Sequence, residues 1–172
     1  MTKTNTAVSL NTFIFLLLTL FMNPAALASK APVFELPGDS GSVSLQQYRN
    51  QVVYVDFWAS WCVPCKHSFP WLNQMQERYG EDGFKVIAIN LDKEKERAEK
   101  FLEHVPVSFD IAYDPEGEVA EMYSLKVMPS SYLIDRDGNL VHAHKGFKTS
   151  DGSRMEDMIR KLLDDKNSTT MD

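Results

Sequence analysis

Residues 52–58, Val-Val-Tyr-Val-Asp-Phe-Trp, form an apolar run broken only by Asp56. The run is rich in β-branched and aromatic side chains, which predicts a strand. Successive strand side chains point to opposite faces, so a strand that is apolar at both parities needs a packed layer on each side. That is the environment of the middle of a parallel sheet, and it requires helices on both faces.

The rest of the chain supplies those helices and further strands. A helix is predicted over 63–79, with Phe69, Leu72, Met75 and Tyr79 near one face and Pro70 kinking it. Residues 84–91 read as a second buried strand, and 94–104 as a surface helix with the stripe Ala98, Phe101, Leu102 and Val105. The charge run from Asp92 to Lys100 reads as a solvated face with Glu96 paired to Lys100. A short strand at 110–113 and a short helix at 116–123 follow. Residues 131–134 and 140–145 then form a hairpin around Arg136-Asp137-Gly138-Asn139. The last helix is expected to start near Ser153, with Glu156 completing a capping box and Met155, Met158, Ile159, Leu162 and Leu163 on one face. Upstream, 34–36 and 42–45 flank the turn-rich segment 37–41 as a small hairpin. The order β-α-β-α-β-α-β-β-α predicts a single α/β domain with a mixed central sheet, helices on both faces and a short N-terminal hairpin.

The first 28 residues read as a targeting segment. Lys3 and the free amino group precede an apolar stretch at 13–22; Pro24 then breaks the pattern, and Ala26-Leu27-Ala28 is a small-x-small cleavage site. The apolar stretch is about half of the roughly 20 residues that a spanning helix needs. A cleaved signal peptide and a periplasmic location are therefore predicted, with an uncleaved anchor facing the periplasm as the alternative. The domain is placed at 29–164 and a flexible tail at 165–172. The chain has 18 basic and 24 acidic side chains, a net charge of −6, which loss of Lys3 takes to −7. An acidic chain without a basic stripe excludes nucleic acid as a partner.

Cys62 and Cys65 are the only two cysteines. A bridge across so short a loop removes little entropy from the unfolded chain, so it is a poor structural staple. The spacing instead suits redox or metal chemistry, and redox chemistry has a physical basis at the start of a helix. There the unpaired amides and the helix dipole stabilise a Cys62 thiolate, and Cys65, one turn on, can attack a mixed disulfide formed at Cys62. Pro64 stiffens the first turn where no backbone donor is needed.

The segment Val55-Asp56-Phe57-Trp58-Ala59-Ser60-Trp61-Cys62-Val63-Pro64-Cys65-Lys66, together with Pro70, resembles the thioredoxin superfamily. The segment Pro129-Ser130-Ser131-Tyr132-Leu133-Ile134-Asp135-Arg136-Asp137-Gly138 and the extra helix at 94–104 are most similar to its TlpA/ResA-type exported oxidoreductases. The resemblance covers about 31–163. It implies a thioredoxin-like fold and thiol–disulfide oxidoreductase activity that reduces disulfides of exported proteins and is recharged by a membrane thiol donor. It implies no cofactor, and a monomer is expected.

By the same resemblance Pro129 is the cis-proline beside the disulfide, and Asp56 is the buried acid that exchanges a proton with Cys65. A carboxyl satisfied by local hydrogen bonds is the other reading of Asp56. Trp61 covers the sulfurs, Trp58 packs beneath them, and Met128 borders the substrate groove. The chain departs from the pattern at three places. Ala88 stands where thioredoxin has a lysine beside the buried acid, and Lys93 where haem-pathway relatives carry an acid. Val127-Met128 replaces the usual Gly-Val or Gly-Ile.

Two other readings stay open at this level. Cys62, Cys65, His142 and His144 could supply four zinc or copper ligands, since the two histidines share a strand face. Against that, the histidines read as solvent-facing, as does His67, while His104 closes its helix. A non-catalytic binding module on the same fold is the second alternative.

Overall fold

The computed structural model describes residues 29–165. The leader predicted at 1–28, its cleavage site, and the tail residues 166–172 lie outside the described residues.

The central run is a strand, β4 (Val52–Trp58), buried at all seven positions. Beside it lies β5 (Phe84–Asn90), and beyond that β6 (Asp110–Tyr113), both running parallel to β4. On the other side β7 (Ser130–Ile134) and β8 (Asn139–Lys145) run antiparallel. The N-terminal hairpin β2 (Glu35–Gly38) and β3 (Gly41–Ser44) closes the β6 edge, and the two-residue β1 (Ser29–Lys30) pairs with the start of β8. The eight strands lie in the order β1-β8-β7-β4-β5-β6-β2-β3.

The helices are α1 (Val63–Tyr79), α2 (Lys95–His104), α3 (Glu118–Met122) and α4 (Gly152–Asp164). Phe69, Leu72 and Met75 of α1, Ala98 and Phe101 of α2, and Met155, Ile159 and Leu163 of α4 pack on one face with Tyr54 and Trp58. Val119 and Ala120 of α3 pack on the other face with Val53, Val55 and Phe57. The sheet is therefore covered on both faces, as a double-sided apolar strand demands.

Four local expectations need correction. The hairpin turn is only Asp39–Ser40, because β2 and β3 extend to Gly38 and Gly41. Asp92 is not part of a solvated face: it is 4% exposed. The helix pair that forms is Lys95–Glu99 at 3.2 Å, with Arg97 on Glu94, in place of Glu96–Lys100. Finally, α4 begins at Gly152, directly out of a 3-10 turn at Thr149–Asp151, with no side-chain cap. Glu156 accepts instead from the Tyr79 hydroxyl at 2.7 Å and from Arg78.

Candidate active site

The site forms where β4 ends and α1 begins. Cys62 is the N-cap residue of α1, and the two following residues, Val63 and Pro64, occupy the first turn. Pro64 has no N–H to leave unpaired there. The Cys65 N–H donates to Cys62 O at 3.1 Å, and the two sulfurs are bonded with Cα atoms 5.4 Å apart. Cys62 is 5% exposed and Cys65 is fully buried. The outer sulfur thus faces the surface and the inner one the core, as attack followed by resolution requires. The helix continues through Pro70 to Tyr79.

Trp58 is fully buried, with ring centroids 4.9 Å from Phe69 and 5.0 Å from Phe101. It forms the packed floor expected of it. Trp61, by contrast, is 63% exposed. Together with Cys62, Val63 and Pro64 it lines one side of an open groove, whose other side is Leu125, Lys126, Val127 and Met128. Val63 is 63% and Val127 48% exposed. The Met128–Pro129 bond is cis, and Pro129 leads straight into β7 beside β4.

Asp56 lies on the face of β4 that α1 covers and is 2% exposed. Its Oδ2 has no hydrogen-bond partner, so the locally satisfied carboxyl is not what forms. Desolvation pushes the carboxyl well above the usual carboxylate range. Its β5 neighbour is Ala88, whose methyl offers no compensating charge.

Asp92, expected on a solvated face, instead braces the loop that leads into the site. Its Oδ2 accepts from the Ser60 N–H at 2.9 Å and its Oδ1 from the Ser60 hydroxyl at 3.0 Å. Asn90 Nδ2 also donates to Asp92 Oδ2, at 2.8 Å. These bonds tie the loop carrying Trp61 and Cys62 to the end of β5. Only the position of Asp92 just past a buried strand hinted at this. Lys93, next to it, is exposed and reaches Glu116 at 3.4 Å.

The four proposed metal ligands are not assembled. Among the described residues no group of three or more His, Cys, Asp or Glu side chains is arranged to hold a metal ion. The histidines are not solvent-facing either. His142 and His144 occupy the half-buried side of β8, whereas Val141, Ala143 and Lys145 point outward. Their face is set by their β7 partners, Leu133 and Ser131, with the register shift falling after Leu133. His67 is exposed, and His104 Nδ1 contacts Lys100 O at 2.8 Å, closing its helix as expected.

The Redoxin family pattern matches residues 26–159, most of the chain. The chain belongs to the Redoxin family. It is similar to the thiol-disulfide oxidoreductase ResA of Geobacillus kaustophilus, at 32% identity over 80% of this chain and 76% of that protein. It is also similar to ResA of Bacillus thuringiensis subsp. konkukian, at 28% identity over 79% of this chain and 78% of that one. A candidate thiol:disulfide interchange protein DsbE of Chlorobium tepidum shares its fold with a TM-score of 0.78. That structure is 48% identical, over 79% of this chain and 96% of its own. Within the thioredoxin superfamily this redoxin is of the ResA/TlpA type. Its activity is thiol–disulfide exchange at Cys62 and Cys65, consistent with the helix-capping disulfide and its adjoining apolar groove.

Proposed function

We propose that this redoxin reduces disulfides of exported proteins, with Cys62 as the attacking thiolate and Cys65 as the resolving thiol. The observation that carries the reading is the N-cap position of Cys62, with Cys65 buried behind it. The helix N-terminus favours the thiolate at Cys62. That thiolate bonds to one substrate sulfur, and the other leaves as a thiolate. Cys65 then gives its proton to the Asp56 carboxylate and bonds to Cys62, and the second substrate sulfur departs. Two electrons have passed to the substrate, and the protein is left as the disulfide.

Trp61, Pro64, Met128 and Pro129 are assigned to substrate binding. The groove that Trp61, Pro64 and Met128 line, with Pro129 next in the chain, is open and largely apolar, which suits an extended segment around a cystine. The targeting segment at 1–28 supports export to the periplasm, with a domain at 29–164 and a short tail. Among the described residues no helix is long and apolar enough to cross a membrane. The oxidised form is recharged by a membrane thiol donor, and the protein acts as a monomer.

The direction of exchange is tested by the reduction potential of the Cys62–Cys65 pair, measured by equilibration with glutathione buffers. A value about −270 mV, like that of thioredoxin, is expected for a reductant. A value about −120 mV would make the protein a disulfide donor and overturn the assignment.

A further inference from the structure

The sheet face that carries Asp56 continues sideways as a polar row. Asp56 on β4 is directly opposite Ser131 on β7, and Ser131 is directly opposite His144 on β8. Residues directly opposite in an antiparallel pair project from one face, with Cβ atoms about 4.5–5.5 Å apart. A carboxyl, a hydroxyl and an imidazole therefore stand side by side across three strands.

The hydroxyl in the middle stands between the other two, without a hydrogen bond to Asp56 Oδ2 or His144 Nε2. Ser131 is 3% exposed, and its Oγ accepts from the Tyr54 hydroxyl at 2.6 Å. A serine hydroxyl has one proton and two lone pairs, so Ser131 keeps its own proton and a second lone pair. Asp56 Oδ2 and the Nε2 atoms of His142 and His144 are buried without a hydrogen-bond partner. Unsatisfied buried polar atoms are uncommon, and here four lie on one sheet face, the fourth being Trp58 Nε1.

The outer end of the row meets the surface. Among the described residues β1 pairs only with Asn139 and Leu140, which leaves β8 as the sheet edge at His144. His144 Nε2 lies 3.3 Å from Asp151 Oδ2, an ion-pair contact outside hydrogen-bond geometry, with side-chain exposures of 12% and 22%. The ionisable groups facing this end are Asp151 at the head of α4, Arg154 within its first turn, Tyr54 from β4 and the stacked ring of His142. Burial, His144 and Arg154 hold His142 below the ordinary imidazole range, so His144 is the ring that faces a carboxylate.

Burial favours the protonated Asp56 carboxyl, so that proton must leave before Asp56 can take the one from Cys65, and Asp56 has almost no surface of its own. On the β5 side its neighbour is Ala88, which cannot carry a proton. We propose that His144 is a positioning residue for the Asp56 proton, moving it between Asp56 and solvent through the Ser131 hydroxyl. The proposal rests on Asp56 being the proton partner of Cys65. In the resolving step Cys65 gives its proton to Asp56 as its sulfur bonds to Cys62, and the substrate sulfur leaves with the electron pair of the broken bond. Before that step Asp56 protonates the Ser131 oxygen while Ser131 gives its original proton to the His144 ring, which frees the carboxylate. The imidazolium passes a proton from Nε2 to Asp151 Oδ2, 3.3 Å away on a side chain that is 22% exposed, and from there it reaches water. One proton reaches solvent, Ser131 ends as it began, and no electron moves along the row.

The test uses the reduced protein mixed with an aryl disulfide that releases a coloured thiol at each of the two steps. His144→Ala is expected to leave the first release unchanged and to slow the second about tenfold or more at neutral pH. Added imidazole should restore the second phase, increasingly as pH rises and more of the imidazole is neutral, without affecting the unsubstituted protein. His144→Gln, which keeps a polar side chain but cannot relay, should be as slow as His144→Ala. A second release within twofold of normal in His144→Ala, alongside a slow one in Asp56→Asn, would overturn the path and leave the reading of Asp56 intact. Recovery by His144→Gln with no response to imidazole would make the role structural and also overturn it. An unchanged second release in Asp56→Asn would remove the reading of Asp56, and the path with it.

Discussion

At the scale of single residues, Asp56 works against the stability of the fold. Its carboxyl is 2% exposed with Oδ2 unpartnered, and desolvation alone drives its upward shift. A carboxyl raised in the folded state binds a proton that the unfolded chain has already released, so stability falls as pH rises from the unfolded value toward the folded one. The contribution of the neutral form is complete below about pH 4, near the unfolded pKa, and is lost as pH climbs through the folded pKa. Asp56→Asn of the oxidised protein is therefore expected to be more stable than the unsubstituted chain at pH 8, by about 1–3 kcal/mol. The gain should vanish near pH 4. Urea unfolding at the two pH values measures it, and an equal gain at both would show that charge burial is not the cause. Asp56 was legible in the sequence as the one polar residue in an apolar strand. Its lack of a partner was not, because that depends on which side chains α1 and β7 bring over it.

Among the elements, the strand–helix alternation was legible because each piece carries its own periodicity: seven buried positions for β4, and one apolar stripe each for α1, α2 and α4. Features set by long-range contact were not. The two residues of β1 are too few to show a pattern, and the start of α4 is dictated by the 3-10 turn it grows out of. The face on which His142 and His144 lie depends on their partners in β7 and on a register shift. Asp92 is the clearest case. It sits at the head of a charged run, and in the fold it turns inward to hold Ser60 and Asn90, while Lys93 and Glu94 beside it are exposed. Removing it strands the Ser60 N–H and the Asn90 amide in a buried setting. Asp92→Ala is expected to cost about 1–3 kcal/mol in urea unfolding. Glu96→Ala, on the solvated side of the same run, should stay within about 0.5 kcal/mol. Equal effects would mean that the Asp92 bonds do not pin the active-site loop.

For the molecule as a whole, a parallel-centred sheet places the start of α1 at the end of β4, so the reacting pair emerges where the helix dipole and the groove meet. In a chain of net charge −6, the only charged side chain lining that groove is Lys126. The account turns on a division of labour between an outer and an inner sulfur. It is tested most directly by trapping: Cys65→Ser, reduced and incubated with a disulfide-containing protein, then examined by non-reducing electrophoresis and peptide mass spectrometry. A stable mixed disulfide on Cys62 is the predicted result, and it should be absent in Cys62→Ser. No adduct with Cys65→Ser, or an adduct on Cys65 when Cys62 is replaced, would contradict the order of attack and the function built on it.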